Sequence, residues 1–242
     1  MNDLAVITGG GRGIGAAVAR RLATDGYRVL LTYRADARSA ENLVADLRGN
    51  GAMCAAIKID CGHMEDIRLL AGHPWIRDGV HVLVLNHGMY ERSPAEEQDL
   101  DALARTMAVN FHGAVAVWKM LSPNLRSNAR IVVMGSQLAT KGNPTGADYA
   151  ASKGALHAFA RSLAVRVAHV GQRVNVIAPG TIETDLVAGD TPQKRAQREK
   201  EIPMGRLGQP AEVAAAVSFL AGPDSSYITG AVLHVNGGIY LP

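Results

Sequence analysis

Leu4-Ala-Val-Ile-Thr-Gly-Gly-Gly-Arg-Gly-Ile-Gly15 decides the fold. The apolar run from Leu4 to Thr8 breaks into glycines and passes directly into Ala16 to Ala23, a segment with helical patterning. A strand that turns through glycines into a helix brings backbone amides to the helix N-terminus. The helix dipole favours negative charge there, and the missing side chains let phosphates come close. Gly9, Gly11, Gly13 and Gly15 are therefore candidates to line a phosphate site, with Arg12 and Ile14 between them.

The rest of the chain repeats the strand-then-helix order. Arg28 to Tyr33, Met53 to Ile59, Val80 to Asn86, Arg130 to Met134, Arg173 to Ile177 and Ala231 to Val235 read as strands separated by helix-length segments. Most are apolar almost throughout, as expected of a parallel sheet covered on both faces. The pattern predicts an α/β fold, a three-layer, doubly wound, Rossmann-like parallel sheet in one domain over residues 1–242. Residues 182–205 depart from the alternation, with Lys194, Arg195, Arg198, Glu199, Lys200 and Glu201 between Pro179-Gly180 and Pro203. They are either a surface excursion or a lid over the carboxyl edge of the sheet.

The chain has 242 residues, 48% hydrophobic and 19% charged, enough to bury a sizeable core. The net charge of +3 is dispersed among acidic residues without a basic stripe, so no nucleic-acid partner is expected. Cys54 and Cys61 make neither a disulfide framework nor a zinc pattern, and the eight histidines lack metal-ligand spacing. A reducing, cytoplasmic location follows, with no metal. Met1-Asn2-Asp3-Leu4 enters the first strand without a basic leader or apolar signal core, and no run reaches the ~20 apolar residues of a membrane span.

Tyr149-Ala-Ala-Ser-Lys153, preceded by Ser136, carries the chemistry. Residues four apart share a helix face, so the Lys153 ammonium lies beside the Tyr149 phenol and favours its ionised form. By itself such a pair also describes a solvated helix face. With the glycine loop, it resembles the short-chain dehydrogenase/reductase family, whose motifs occur here in order: Thr8 to Gly15, Asp60, Asn86 to Gly88, Asn110, Ser136, Tyr149 with Lys153, and Pro179 to Thr184.

That resemblance implies a nicotinamide dinucleotide and hydride transfer to or from a carbonyl carbon. Tyr149 exchanges the proton, Ser136 hydrogen-bonds the substrate oxygen, Lys153 binds the nicotinamide ribose, and Asn110 interrupts its helix to hold a water. Asp60 would meet the adenine amino group, and Asn86 and Gly88 the adenosine ribose. Ile182 and Thr184 would meet the carboxamide; Tyr33, Cys61, Pro179 and Gly180 belong to the same implied surface. A turn or helix cap is the alternative for Asp60 and Thr184. At the end of the second strand, where an acid would bind both ribose hydroxyls, stands Thr32-Tyr33-Arg34. Arg34 and Arg12 converging on a 2′-phosphate point to NADP(H).

Within the family the chain most resembles reductases of 3-oxoacyl thioesters on acyl carrier protein, through Asn175 to Asp185, Ile202 to Gly208 and Tyr227 to Tyr240. It departs from them at Leu85-Asn86-His87-Gly88, where the family has Asn-Asn-Ala-Gly, and at Met89-Tyr90-Glu91-Arg92-Ser93. The carrier-docking arginines align with Ser127 and Val170; Arg126, Arg130, Arg166 and Arg173 stand nearby. The expected activity is an NADPH-dependent ketone reductase acting on a small-molecule carbonyl or acyl thioester. The alternatives are a secondary-alcohol or sugar dehydrogenase and a non-catalytic dinucleotide-binding regulator. The resemblance also implies a homodimer or homotetramer paired through Leu100 to Leu121 and Asp148 to Val170, where Leu156, Phe159 and Leu163 face either the interface or the core.

Overall fold

The computed structural model describes residues 3–242; Met1 and Asn2, where the leaderless N-terminal reading begins, lie outside the described residues. β1 (Leu4–Ile7) leads into α1 (Gly13–Thr24), β2 (Arg28–Tyr33) into α2 (Ala37–Gly49), and β3 (Cys54–Lys58) into α3 (Met64–Ala71) and the short α4 (Pro74–Arg77). β4 (Val80–Leu85) precedes α5 (Leu100–Met107), a π-helical turn (Ala108–His112) and α6 (Gly113–Leu121). β5 (Leu125–Met134) precedes the short α7 (Leu138–Lys141) and α8 (Ala147–Val167). After β6 (Arg173–Pro179) come α9 (Asp185–Ala188), α10 (Pro192–Glu201) and α11 (Pro210–Ala221), and then β7 (Val232–Val235).

The seven strands are all parallel, in the order β3-β2-β1-β4-β5-β6-β7. Alternation along each strand sends side chains to two cores. Leu4 and Val6 of β1 pack with α3, α6 and α8, through Ile67, Val117 and Leu163. Ala5 and Ile7 pack with α1, α2 and α11, through Val18, Leu43 and Val213. The sequence therefore reads as an apolar strand because both of its faces are buried. Leu156 and Leu163 are core residues, while Phe159 joins Phe111 and Trp118 in a partly buried aromatic group at its edge.

All seven expected strands are present, β2 with the expected ends and the others with shifted ones. β5 begins at Leu125 instead of Arg130 because Arg126, Ser127 and Asn128 are exposed and polar, which hides them from an apolar pattern. The chain runs from β1 outward to β3, then crosses to β4 on the other side of β1. That reversal opens a crevice beyond the carboxyl ends of β1 and β4. The glycine loop forms one lip of it and Asn86 to Gly88 the other.

Close approach at this crevice requires a bare backbone at Gly15. A Cβ there would fall 2.2 Å from the Gly9 carbonyl oxygen and 2.7 Å from Asn86 Nδ2. Gly15→Ala should lower the melting temperature by roughly 4–10 °C, the effect of an overpacked core position in a domain of this size. At Gly49 a Cβ would meet nothing within 4 Å, so Gly49→Ala should leave thermal unfolding unchanged or slightly improved. Equal melting temperatures for the two variants would contradict this reading of the crevice.

Candidate active site

α8 places Tyr149 and Lys153 on one face, as their spacing implies, beside Ser136 at the end of β5. Lys153 is 3% exposed, and its Nζ donates to the Met134 carbonyl at 2.8 Å. An ammonium has three donors; among the described residues this one has a single protein acceptor. Burial pushes its pKa down to about 8.

Lys153 Nζ lies 5.6 Å from the centre of the Tyr149 ring. Burial pushes the Tyr149 phenol up to about 12; the Ser136 hydroxyl opposes that rise and Tyr90 adds to it. The direction is opposite to the pull expected from Lys153, which is not among the groups that shift the phenol. Burial is the largest of these influences, so with no ligand bound the phenol keeps its proton at neutral pH. Ser136 is 7% exposed; its Oγ accepts from the Leu138 amide at 3.1 Å, and its own amide points at His157 Nε2 at 3.5 Å.

Asn110 lies fully buried in the π turn, a local widening of the helix often found at functional sites. Its amide group accepts from the Met89 amide at 2.7 Å and donates to the Met89 carbonyl at 2.9 Å and to Ser152 Oγ at 3.0 Å. Ser152 Oγ in turn donates to the Tyr149 carbonyl at 2.7 Å. Asn110 thus ties the loop after β4 to α8. Sequence reasoning identified Asn110 but missed Ser152 and Met89, whose residue types carry no signal. Gly88 completes the group, because a Cβ there would sit 3.2 Å from Asn110 Oδ1 and 3.5 Å from Lys153 Nζ.

Across the crevice, Asn86 Nδ2 donates to the Thr8 and Gly9 carbonyls at 3.0 and 2.9 Å and holds the two lips together. Gly9 and Gly13 have φ of +63° and +53°, which suit glycine, and Gly11 packs against Ala40 and Tyr33. Ile14 is partly buried against the α1 core. His87 takes the place of a methyl group and bridges the lips. Its Nδ1 lies 2.7 Å from Thr8 Oγ1 and its Nε2 lies 3.2 Å from the Val109 carbonyl. A carbonyl can only accept, so Nε2 carries the proton and Nδ1 accepts from Thr8.

The outer cofactor positions vary in what they offer. Arg34 is exposed beyond Tyr33 at the end of β2. Arg12 pairs with Asp185 at 3.2 Å, an exposed contact weak enough to be exchanged for a phosphate. Asp36 caps α2 through Ser39, and Arg12 and Arg38 also help hold its carboxyl low, so Arg38 joins this basic corner unforeseen. Asp60 Oδ1 accepts from the Gly62 amide at 2.8 Å, the turn role named as its alternative. The Cys61 thiol is core, pushed up to about 12 by burial, and its carbonyl packs against Gly113. Ile182 is likewise buried, and Thr184 stands at the start of α9 beside Gly13. Pro179 and Gly180 end β6, where the Pro179 carbonyl accepts from the Gln137 amide and Gly180 packs on Asn236.

The glycine loop at the start of α1 and the unpaired donors of Lys153 fit the phosphates and ribose hydroxyls of a dinucleotide. No group of three or more metal-ligating side chains occurs among the described residues, and no helix among them is long and apolar enough to cross a membrane.

A doubly wound sheet with a bare phosphate loop and a Ser-Tyr-Lys cluster at its switch point defines a dinucleotide-dependent oxidoreductase. Residues 9–240 match the family model described as enoyl-(acyl carrier protein) reductase. The chain is 36% identical to 3-oxoacyl-(acyl-carrier-protein) reductase of Vibrio cholerae over 98% of this chain and 97% of that one. It is 34% identical to 3beta-hydroxysteroid dehydrogenase 1 of Eggerthella lenta, over 98% and 93%. A short chain dehydrogenase from Burkholderia cenocepacia solved in complex with NADP superposes with a TM-score of 0.92 at 33% identity, covering 98% of this chain and 97% of that one. The chain belongs to the short-chain dehydrogenase/reductase family and is an oxidoreductase.

Burial pushes His87 and His157 each down to about 4 from 6.5. Because their folded values are depressed, the unfolded chain takes up protons first as pH falls. Their contribution is complete above pH 6.5 and is lost as pH falls toward 4. By pH 4.5 the loss amounts to about 2.5 kcal/mol for each histidine. Urea unfolding of His87→Ala should accordingly lose less stability between pH 7.5 and 4.5 than the wild type does. Identical losses would contradict the neutral bridge.

Proposed function

We propose that the enzyme reduces a ketone to a secondary alcohol with NADPH, with 3-oxoacyl thioesters as a candidate substrate class. The observation that carries this reading is the cluster of partly buried Tyr149 with buried Ser136 and Lys153, in which the phenol lies beside the Ser136 hydroxyl and near an ammonium with unused donors. A dinucleotide bound in the crevice supplies a hydride for the carbonyl carbon. Tyr149 gives its proton to the carbonyl oxygen, and Ser136 Oγ hydrogen-bonds the same oxygen and stabilises its developing charge. Lys153 holds the nicotinamide ribose through its free N–H groups. Asn110 fixes the Met89 loop against α8 and keeps Gly88 beside Lys153.

Arg34 and Arg12, and the absence of an acid at Tyr33, favour NADPH over NADH. Asp60, Cys61, Asn86, Pro179, Gly180, Ile182 and Thr184 complete the dinucleotide surface, several through their backbones. Residues 182–205 act as a lid. α10 has no buried residue, and the base of the segment is anchored by the Glu183 amide to the Gly208 carbonyl at 2.8 Å. We further assign the enzyme to the cytoplasm and to a homodimer or homotetramer built on α5, α6 and α8.

Carrier linkage has weaker support. Arg126, Arg130 and Arg173 donate to the carbonyls of Asp78, Asn128 and Gly222 of their own chain, so they are not free replacements for the arginines that Ser127 and Val170 lack. The steroid dehydrogenase among the relatives keeps a secondary-alcohol dehydrogenase as the second reading.

NADPH oxidation with acetoacetyl-CoA and a panel of unrelated ketones, repeated with NADH, tests the proposal; turnover with no ketone would overturn it. Tyr149→Phe should lose about a thousandfold in kcat with NADPH binding nearly unchanged. Near wild-type turnover would remove Tyr149 from the mechanism. Arg34→Ala should cut the NADPH-to-NADH preference by about tenfold or more, the loss of a charge-assisted phosphate contact. An unchanged ratio would place the phosphate elsewhere.

A further inference from the structure

Met89 to Ser93, the segment that departs from the carrier-type pattern, builds a cover over Tyr149. Asn110 grips Met89 by both backbone groups, which fixes the residue that follows. The Tyr90 ring lies against the Tyr149 ring with centroids 4.5 Å apart and planes tilted by 31°. Its hydroxyl accepts from Asn143 Nδ2 and donates to the Thr145 carbonyl at 3.3 Å. The chain between this tether and Tyr149 passes under Tyr90 at Gly146, where a Cβ would fall 2.5 Å from Tyr90 Cε2. The Arg92 guanidinium stands 5.7 Å from the centre of the Tyr90 ring. Two loops thus converge to hold one aromatic ring on the phenol.

Stacked rings at this separation leave no room for a methylene group between them. With Tyr90 on the ring and Lys153 Nζ 5.6 Å from its centre, the hydroxyl edge of Tyr149 remains as the approach. A substituent directed over the ring would have to displace Tyr90 and break its tether to the Asn143 loop. We propose that Tyr90 is a specificity-determining residue that fills the space over Tyr149 and restricts one substituent of the substrate carbonyl to about the size of a methyl group. The inference rests on the ketone-reducing reading and narrows it to methyl ketones, and among 3-oxoacyl thioesters to the acetoacetyl member.

Two isomeric ketones of equal hydrophobic content, 2-heptanone with a methyl group and 4-heptanone with none, separate shape from general binding. Wild type should favour 2-heptanone in kcat/KM by about tenfold or more, the discrimination available to a pocket that rejects added methylenes. Tyr90→Ala should close that gap to within about threefold by raising kcat/KM for 4-heptanone, whereas Tyr90→Phe, which keeps the ring, should largely preserve it. A purely structural role would lower both ketones together. Hydroxyl-radical footprinting read by mass spectrometry gives a readout independent of turnover: oxidation of Tyr149 should rise in Tyr90→Ala and, to a smaller extent, in Asn143→Ala.

An unchanged gap in Tyr90→Ala would overturn the inference, and so would unchanged oxidation of Tyr149. If wild type reduces neither ketone nor any other, the ketone reading and its substrate class fall. The footprint then still decides the cover, which increased oxidation would uphold and unchanged oxidation would refute.

Discussion

A buried ammonium is the constraint around which this site is arranged. Lys153 is almost wholly enclosed, yet among the described residues its Nζ has one protein acceptor, the Met134 carbonyl. Removing a charge from water costs several kcal/mol, and one carbonyl does not offset it. Burial pushes the Lys153 pKa down, the direction that such an imbalance implies. In the proposed role the missing acceptors arrive with a ligand, and the neighbouring backbone fits that role. Gly88 has no side chain to block Nζ, and the π turn brings Asn110 inward to hold the Met89 loop in register with α8.

The second constraint is the crevice in which that ammonium is reached. Parallel strands that reverse direction of travel beside β1 leave an opening at their carboxyl ends, and here two loops are joined across it. The Asn86 amide holds the carbonyls of Thr8 and Gly9, and the neutral His87 ring spans from Thr8 to Val109. The phosphate loop, the π turn and α8 therefore form one connected frame. An error in any of them displaces Lys153 relative to the glycine loop.

Much of this was legible in the sequence because its signals are local. Unbroken apolar runs marked strands buried on both faces, the glycines after Thr8 marked the phosphate loop, and the four-residue spacing placed Tyr149 over Lys153 on one helix face. What stayed hidden depends on surroundings. The start of β5 is polar and exposed, although the strand lies inside the sheet between β4 and β6. The π turn at Ala108 to His112 has no compositional mark, and Ser152, Met89 and Arg38 gain their roles from neighbours distant in sequence. The upward shift at Tyr149 has the same origin: the spacing shows the cation, but not how Ser136 and Tyr90 enclose the phenol. Tyr90 was visible as a departure from a pattern, whereas its stacking depends on Asn143 and Gly146, more than fifty residues further along the chain.

The most direct test is a fluorescence titration with NADPH of Lys153→Met beside the wild type, with thermal unfolding of both proteins. Methionine keeps the volume of the side chain and removes its charge. An ammonium kept for its ligand predicts NADPH affinity weaker by about tenfold or more, with a melting temperature equal to or above that of the wild type, because a poorly paired buried charge contributes no stability. Unchanged affinity, or an unstable variant that still binds NADPH normally, would show that Lys153 serves the fold and would contradict the account.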